Sequence, residues 1–143
     1  MIIIDSALRK RQEEGNPLRV GLIGTGFMGR GIINQIVNSV PGMVLAAAYN
    51  RTPEKALRAF GEAGISDAVT VSTGDELEDA IRAGRPAVTD DPYLLTRAQG
   101  VDVLIEATGA VEFGAHVTLD AIEHGKHMVS MNAELDGTVG PII

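Results

Sequence analysis

Three glycines near the start of the chain have a spacing that can bind phosphates, Gly24-x-Gly26-x-x-Gly29. The run before them, LRVGLIG, is typical of a buried strand, and the apolar residues after them recur at helical spacing. In that setting the first glycine permits a tight turn, the second lets a diphosphate approach the backbone, and the third lets the helix pack closely. The helix N-terminus then offers free amides and the positive end of its dipole. The predicted cofactor contacts in this loop are Gly24, Thr25, Gly26, Phe27, Met28 and Gly29. A tight turn that binds nothing is the alternative.

A second candidate segment follows the next predicted strand, MVLAAAY, at residues 43–49. Domains that prefer NAD place an Asp or Glu roughly 20 residues beyond the glycines, where it binds the adenosine ribose. Here the residues are Asn50, Arg51 and Thr52. Asn50 can bind a ribose hydroxyl, Arg51 can pair with a 2′-phosphate and stack on adenine, and Thr52 adds a donor. These residues predict a preference for NADP(H), with a solvated loop cation as the alternative for Arg51.

A third segment, Ala107-Thr108-Gly109, directly follows the predicted strand VDVLIE. Open α/β sheets bind ligands at the carboxyl ends of their strands, so we expect this loop near the nicotinamide-side ribose and phosphate. An ordinary strand–helix loop is the alternative. Glu106, which ends the strand, can serve the site, cap the next helix or accept a hydrogen bond from a backbone amide, and no catalytic role is assigned to it.

The composition excludes several classes of protein. The 143 residues suggest one domain, and the absence of cysteine excludes disulfides and thiolate metal sites. A net charge of −7 with scattered basic residues argues against nucleic-acid binding, and no apolar run is long enough for a membrane span. His116 is interpreted as a packing residue, His124 as a residue near a helix C-terminus and His127 as a structural position at the start of a strand, so no metal site is predicted. A cytoplasmic protein is expected.

Alternating strands and helices predict an α/β fold with a doubly wound, mostly parallel sheet of the Rossmann type. Residues 1–17 are interpreted as an N-terminal helical arm and residues 18–143 as the dinucleotide-binding domain. The predicted strands are 18–24, 43–49, 68–72, 87–89, 101–109 and 127–131. A helix over 111–124 is expected to bury Ala115, Leu119 and Ile122, while residues 132–143 show no convincing period. A complete six-stranded domain requires one strand more than the pattern clearly marks, which leaves a truncated sheet as one interpretation.

The later part of the chain resembles the homoserine dehydrogenase superfamily. The resemblance lies in IEATG, a following helix, and then HGKHMVSMNAEL. Thr138-Val139-Gly140-Pro141 makes the chain more similar to homoserine dehydrogenase-like oxidoreductases that carry a C-terminal SAF domain. The resemblance implies hydride transfer between nicotinamide and a carbonyl or hydroxyl substrate, with NADP as cofactor, NAD as a second option, and Asn132 as a cofactor contact. Ala133 stands where homoserine dehydrogenases usually have Lys.

The resemblance also carries expectations about the rest of the protein. It implies that a downstream domain, absent from these 143 residues, binds a small-molecule substrate and holds the catalytic residues, which are not identified. The chain alone is therefore expected to be inactive, and a homo-oligomer is one expected assembly. Two alternatives stay open at this point: a non-catalytic nucleotide sensor, and a Rossmann domain that binds coenzyme A or S-adenosylmethionine.

Overall fold

The computed structural model describes residues 2–143, which form one parallel sheet flanked by helices. The strands are β1 Leu18–Ile23, β2 Met43–Tyr49, β3 Val69–Thr70, β4 Ala87–Thr89, β5 Val103–Glu106 and β6 His127–Ser130. The helices are α1 Ile2–Glu13, α2 Phe27–Ser39, α3 Pro53–Glu62, α4 Gly74–Arg82, α5 Pro92–Arg97, α6 Val111–Glu123 and α7 Ala133–Val139. A 3₁₀ turn, Gly140–Ile142, follows α7.

The strand order is β3-β4-β2-β1-β5-β6, and every pair is parallel. From β1 the chain moves to β2 on one side and later to β5 on the other, so the order reverses between β1 and β5. Such a reversal opens a crevice at the carboxyl ends of the two strands, where ligands bind in open α/β sheets. The predicted doubly wound fold is confirmed, and the expectation of a missing strand is wrong because the sheet has six strands.

Two apolar clusters fill the space between the sheet and its helices. Ile33 and Ile36 of α2 pack with Phe60 of α3 on one face. Leu77 of α4, Leu95 of α5 and Val117 of α6 pack on the other face. Right-handed crossovers place helices on one face where the chain moves from β1 toward β3, and on the opposite face where it returns from β3 toward β6. Consequently α2 and α3 cover β1, β2 and β4, and no helix within residues 2–143 covers β5 and β6 on that side.

The orientation of α6 differs from the prediction. The buried residues are Gly114, Val117, Thr118 and Ala121, whereas Leu119 and Ile122 are 44% and 49% exposed. Small side chains face the sheet because the first turn of α6 packs closely against the end of β5: a Cβ at Gly114 would lie 3.3 Å from the carboxyl carbon of Glu106. The helix α7 was not predicted, since Leu135 is its single buried residue and no period can be read from one position.

The amino ends of β1 and β5 are joined by an ion pair. Arg19 donates from Nη2 to Oδ1 of Asp102 at 2.8 Å and from Nε to Oδ2 at 3.1 Å. The Arg19 amide also donates to Oδ2 at 2.8 Å. These hydrogen bonds from Arg19 lower the pKa of Asp102, and the pair fixes the two strands at the edge opposite the crevice.

The helix α1 packs near the start of β2. The Gly42 amide donates to Oε1 of Gln12 at 2.8 Å, and a side chain at Gly42 would collide with the backbone of Leu8. No helix among residues 2–143 has the length and apolar character needed to span a membrane.

Candidate nucleotide-binding site

The glycine loop connects β1 to α2 at the mouth of the crevice. Gly24 has a φ of 99°, a left-handed conformation that glycine adopts without strain. Its amide donates to the carbonyl of Tyr49 at 3.0 Å, which ties the loop to the end of β2. A side chain at Gly29 would collide with the carbonyl oxygen of Gly24, so this glycine permits the close packing of α2.

Gly26 differs from its two neighbouring glycines because the space around it is open. A Cβ built there would meet no atom within 4 Å, and the residue occupies the N-cap of α2 without a side-chain cap. The first amides of an α-helix have no acceptor inside the helix, and the first turn of α2 carries no acidic side chain. An anion can therefore approach these amides and the positive end of the helix dipole. The residues thus fit the diphosphate of a dinucleotide.

Other predicted loop residues divide between buried and exposed positions. Thr25 is 4% exposed, and its Oγ1 accepts a hydrogen bond from Nδ2 of Asn50 at 2.6 Å. Oδ1 of Asn50 accepts from the Thr52 amide at 2.9 Å, so this side chain joins the glycine loop to the start of α3. Phe27 is 83% and Met28 50% exposed at the mouth of the crevice. The hydroxyl of Thr52 makes no cap hydrogen bond to α3.

Arg51 is exposed at the carboxyl end of β2 and makes no hydrogen bond or ion pair with any described residue. Asp90 and Asp91 follow β4, the neighbouring strand, at the same edge. Tyr49 lies between these charges: burial raises the pKa of its hydroxyl, Arg51 lowers it, and the two aspartates raise it further. The carboxyl ends of β2 and β4 therefore combine one guanidinium that pairs with no described residue and two carboxylates.

The loop of Ala107, Thr108 and Gly109 lies against the glycine loop. The Ala107 amide donates to the carbonyl of Ile23 at 2.9 Å. A Cβ at Gly24 would lie 2.9 Å from Cγ2 of Thr108 and 3.2 Å from the carbonyl carbon of Ala107. The two loops form the two sides of the crevice at the strand-order reversal. A cofactor contact by Ala107, Thr108 and Gly109 stays a prediction.

Glu106 is fully buried beneath this loop. Its Oε1 accepts hydrogen bonds from the amide of Thr108 at 2.8 Å and from the Thr108 hydroxyl. Its Oε2 is buried and has no hydrogen-bond partner. Of the roles considered for Glu106 from the sequence, acceptance from a backbone amide is the one observed.

Asn132 lies at the end of β6 and is 1% exposed. Its Oδ1 accepts from the Leu135 amide at 3.0 Å, which caps α7, and its Nδ2 donates to the carbonyl of Ala110 at 3.3 Å. These bonds join the ends of β5 and β6. A cofactor contact by Asn132 stays a prediction, and its cap role was not read from the sequence, although an Asn before a short helix is a usual capping signal.

Tyr49 and Phe113 form a contact that the sequence analysis missed. Their rings stack with centroids 5.4 Å apart and planes at 21°. The pair packs the end of β2 against the first turn of α6. No spacing rule relates residues so distant in sequence, so this contact had no signal in the sequence. Among residues 2–143, no group of three His, Asp or Glu side chains is placed to hold a metal ion.

Comparison with known families identifies a match across most of the chain. The family described as homoserine dehydrogenase, NAD binding domain, matches residues 24–136. A homoserine dehydrogenase from Methylobacillus glycogenes is 30% identical over 119 residues, which are 83% of this chain and 26% of that protein. A homoserine dehydrogenase from Neisseria gonorrhoeae is 31% identical over 122 residues. The chain spans about a quarter of the length of these relatives.

Solved structures support the same fold. A homoserine dehydrogenase from Thiobacillus denitrificans superposes with a TM-score of 0.62 at 23% identity, covering 87% of this chain and 25% of that one. A myo-inositol dehydrogenase from Lactobacillus casei, solved with NAD(H) and myo-inositol, gives a TM-score of 0.60 at 22% identity. That alignment covers 80% of this chain and 28% of the other. At such identities the likeness shows the fold.

Proposed function

The chain belongs to the family of homoserine dehydrogenase NAD-binding domains, and on that premise we propose that it is the NADP(H)-binding domain of an oxidoreductase. The whole enzyme would transfer a hydride between nicotinamide and a carbonyl or hydroxyl carbon of a small substrate. The observation that carries the proposal is the open position at Gly26, above the free amides of α2 and beside the Thr108 loop. This position fits a diphosphate, and the two flanking loops fit the two halves of a dinucleotide.

The preference for NADP(H) rests on the end of β2. Arg51 is exposed and unpaired among the described residues, and neither Asn50 nor Thr52 carries a charge that would repel a phosphate. A guanidinium pairs with phosphate oxygens through two parallel hydrogen bonds, which makes it well suited to a 2′-phosphate. NAD lacks this phosphate, so its pairing with Arg51 would strengthen the binding of NADP(H) and not that of NAD(H).

The cofactor and the residues of the chain would have separate roles in the reaction. The bound nicotinamide supplies the hydride chemistry, which no protein side chain can perform. The glycine loop binds the diphosphate, Arg51 binds the 2′-phosphate, and the Thr108 loop orients the nicotinamide-side half. Ala133 has no ionisable group, so this position supplies no proton donor or acceptor to a substrate.

The test is a fluorescence titration of the 143-residue chain with NADPH and NADH, with coenzyme A and S-adenosylmethionine as comparison ligands in a thermal-shift assay. We expect NADPH to bind at least about tenfold more tightly than NADH, since a hydrogen bond to a charged group contributes about 1.5–3 kcal/mol. Replacing Arg51→Ala should remove this preference by weakening NADPH binding much more than NADH binding.

Arg58→Ala is the matched control, because Arg58 is an exposed arginine on α3 and its removal changes the net charge equally. It should leave both affinities unchanged. Equal affinity of the wild-type chain for NADPH and NADH would refute the NADP preference. Binding of neither dinucleotide, with a thermal shift from coenzyme A or S-adenosylmethionine, would refute the dinucleotide assignment itself.

A further inference from the structure

The buried carboxyl group of Glu106 lies beneath the loop of Ala107, Thr108 and Gly109. Glu106 ends β5 and is fully buried, and both the amide and the hydroxyl of Thr108 donate to its Oε1. A buried polar side chain that accepts two hydrogen bonds from a single loop residue fixes both the backbone and the rotamer of that residue. Thr108 is therefore held from behind, on the side away from the crevice.

The same carboxyl group lies at a point where three elements meet. The vacant side-chain position of Gly114 is 3.3 Å from the carboxyl carbon of Glu106, 3.2 Å from Nδ2 of Asn132 and 2.6 Å from Cδ1 of Leu135. The carbonyl of Glu106 also accepts from the Met131 amide at 2.8 Å. Glu106 thus contacts the end of β6 and the first turn of α6, while it holds the loop of β5.

A movement of Thr108 would also displace the glycine loop on the other side of the crevice. Its Cγ2 lies 2.9 Å from the position that a Cβ at Gly24 would take, so the two loops leave no free space between them. Without the acceptor at Glu106, the Thr108 hydroxyl and amide would turn toward another acceptor, and the loop would change shape on its crevice side.

We propose that Glu106 is a positioning residue that holds Thr108 in the conformation required by the nicotinamide-side half of the dinucleotide. The inference rests on the proposed function and adds a residue that acts from behind the site without touching the cofactor. It implies that a substitution at Glu106 weakens only the contacts with the nicotinamide-side half of the ligand. The adenosine half is bound by Arg51 and the end of β2, which Glu106 does not contact.

The experiment compares NADPH with adenosine 2′,5′-bisphosphate, which carries the adenosine and its phosphates but lacks the nicotinamide half. For Glu106→Leu we expect NADPH to bind about tenfold more weakly and the bisphosphate to bind as it does to the wild type, since the acceptor of two hydrogen bonds is removed. Glu106→Gln keeps an acceptor at Oε1 and replaces Oε2, which has no donor partner, so it should restore NADPH affinity to within about threefold.

Two further variants complete the test. Glu123→Leu makes the same replacement at an exposed carboxylate on α6 and should change neither affinity. Thr108→Val removes one of the two donors and should weaken NADPH about threefold with no effect on the bisphosphate, so the proposal can be tested even if Glu106→Leu unfolds the chain. Melting temperatures without ligand report folding separately from binding.

The proposal is overturned if Glu106→Leu and Thr108→Val, when folded, weaken both ligands equally or leave NADPH affinity unchanged. It is also overturned if Glu106→Gln binds NADPH as weakly as Glu106→Leu does. Failure of the proposed function gives a different result, because the wild-type chain would then bind neither NADPH nor the bisphosphate.

Discussion

At the level of single residues, the three glycines of the first loop have separate physical roles. Gly24 supplies a left-handed turn, Gly29 removes a collision with the Gly24 carbonyl, and Gly26 leaves open space. Substitutions at these positions should therefore have different effects on folding and on ligand binding. This difference allows the binding site to be tested without disturbing the fold.

Gly26→Val should fold normally and bind NADPH at least about 30-fold more weakly. The φ of −71° at Gly26 is allowed for any residue, and no atom lies within 4 Å of the new Cβ. The branched side chain would nevertheless occupy the space that a diphosphate needs, at a cost of about 2 kcal/mol or more in binding. Titration of NADPH and a melting curve measure the two effects.

Gly31→Val is the control for this experiment, since Gly31 lies on α2 and also has no neighbour within 4 Å of its Cβ position. It should keep the wild-type affinity for NADPH. Similar losses at both positions would show that the effect comes from α2 as a whole and would count against a diphosphate at Gly26.

Gly29→Ala should instead act on stability. The new methyl group would collide with the Gly24 carbonyl, and overpacking of this kind costs about 1–3 kcal/mol. Urea denaturation should show a lower free energy of unfolding than for the wild type. An unchanged unfolding midpoint would mean that α2 can move away from β1 at little cost.

The spacing of the glycines was enough to predict the loop, because each position corresponds to a local backbone requirement. The cap role of Asn132 is also local, since its Oδ1 accepts from the amide of Leu135 three residues later. The burial of Glu106 was not predictable in the same way, because it depends on Gly114, whose missing side chain brings α6 close to the ends of β5 and β6. That approach is a tertiary contact, and the residues next to Glu106 in the sequence do not indicate it.

At the level of elements, the pairing of β1 with β5 determines the crevice, and the ion pair of Arg19 with Asp102 supports that pairing. Asp102→Asn should lower the free energy of unfolding at pH 7 by about 1 kcal/mol, because the pair is partly exposed and solvent screens its charges. Urea denaturation of both proteins provides the measurement.

The pH dependence of this pair has a definite sign. The pKa of Asp102 is lower in the folded chain than in the unfolded one, so its contribution is complete above the unfolded value of about 4 and is lost as the pH falls through the folded pKa. The stability difference between wild type and Asp102→Asn should therefore shrink below about pH 4. A difference that grows under acidic conditions would contradict the assignment.

The sequence predicted the order and type of most elements, because apolar periodicity and turn residues mark them locally. For example, Thr73 and Glu76 have the spacing of a capping box, and they form one at the start of α4. The buried face of α6 was predicted wrongly. That helix carries two apolar stripes, and the one with small residues faces the sheet, where Glu106 and Tyr49 require a close approach.

At the level of the whole molecule, one half of one sheet face has no helix over it among the described residues, 2–143. We call it the uncovered face and define it by Val103, Ile105 and Val129, next to Met28 and Ile32 of α2. Val129 is 48% exposed and pairs in register with Ile105, which lies beside α2 in a largely apolar groove. Met28 of α2 extends onto this face and is half exposed.

The native chain should therefore bind a hydrophobic dye such as ANS, and Val129→Lys should reduce its fluorescence by about half, because contiguous exposed apolar patches of this kind are unusual on monomeric proteins. Leu119→Lys, at a similarly exposed site on the outer side of α6, should leave the signal unchanged. Equal reductions by both variants would show that the dye does not distinguish this face.

The crevice and the ion pair between Arg19 and Asp102 lie at opposite ends of the same two strands. Gly24 lies five positions after Arg19, which is about 16 Å of extended chain. We therefore expect thermostabilising substitutions at the amino edge, for instance around Asp102, to leave the proposed coenzyme selectivity intact. Substitutions of Arg51, which makes no hydrogen bond or ion pair with a described residue, should in turn leave thermal tolerance unchanged.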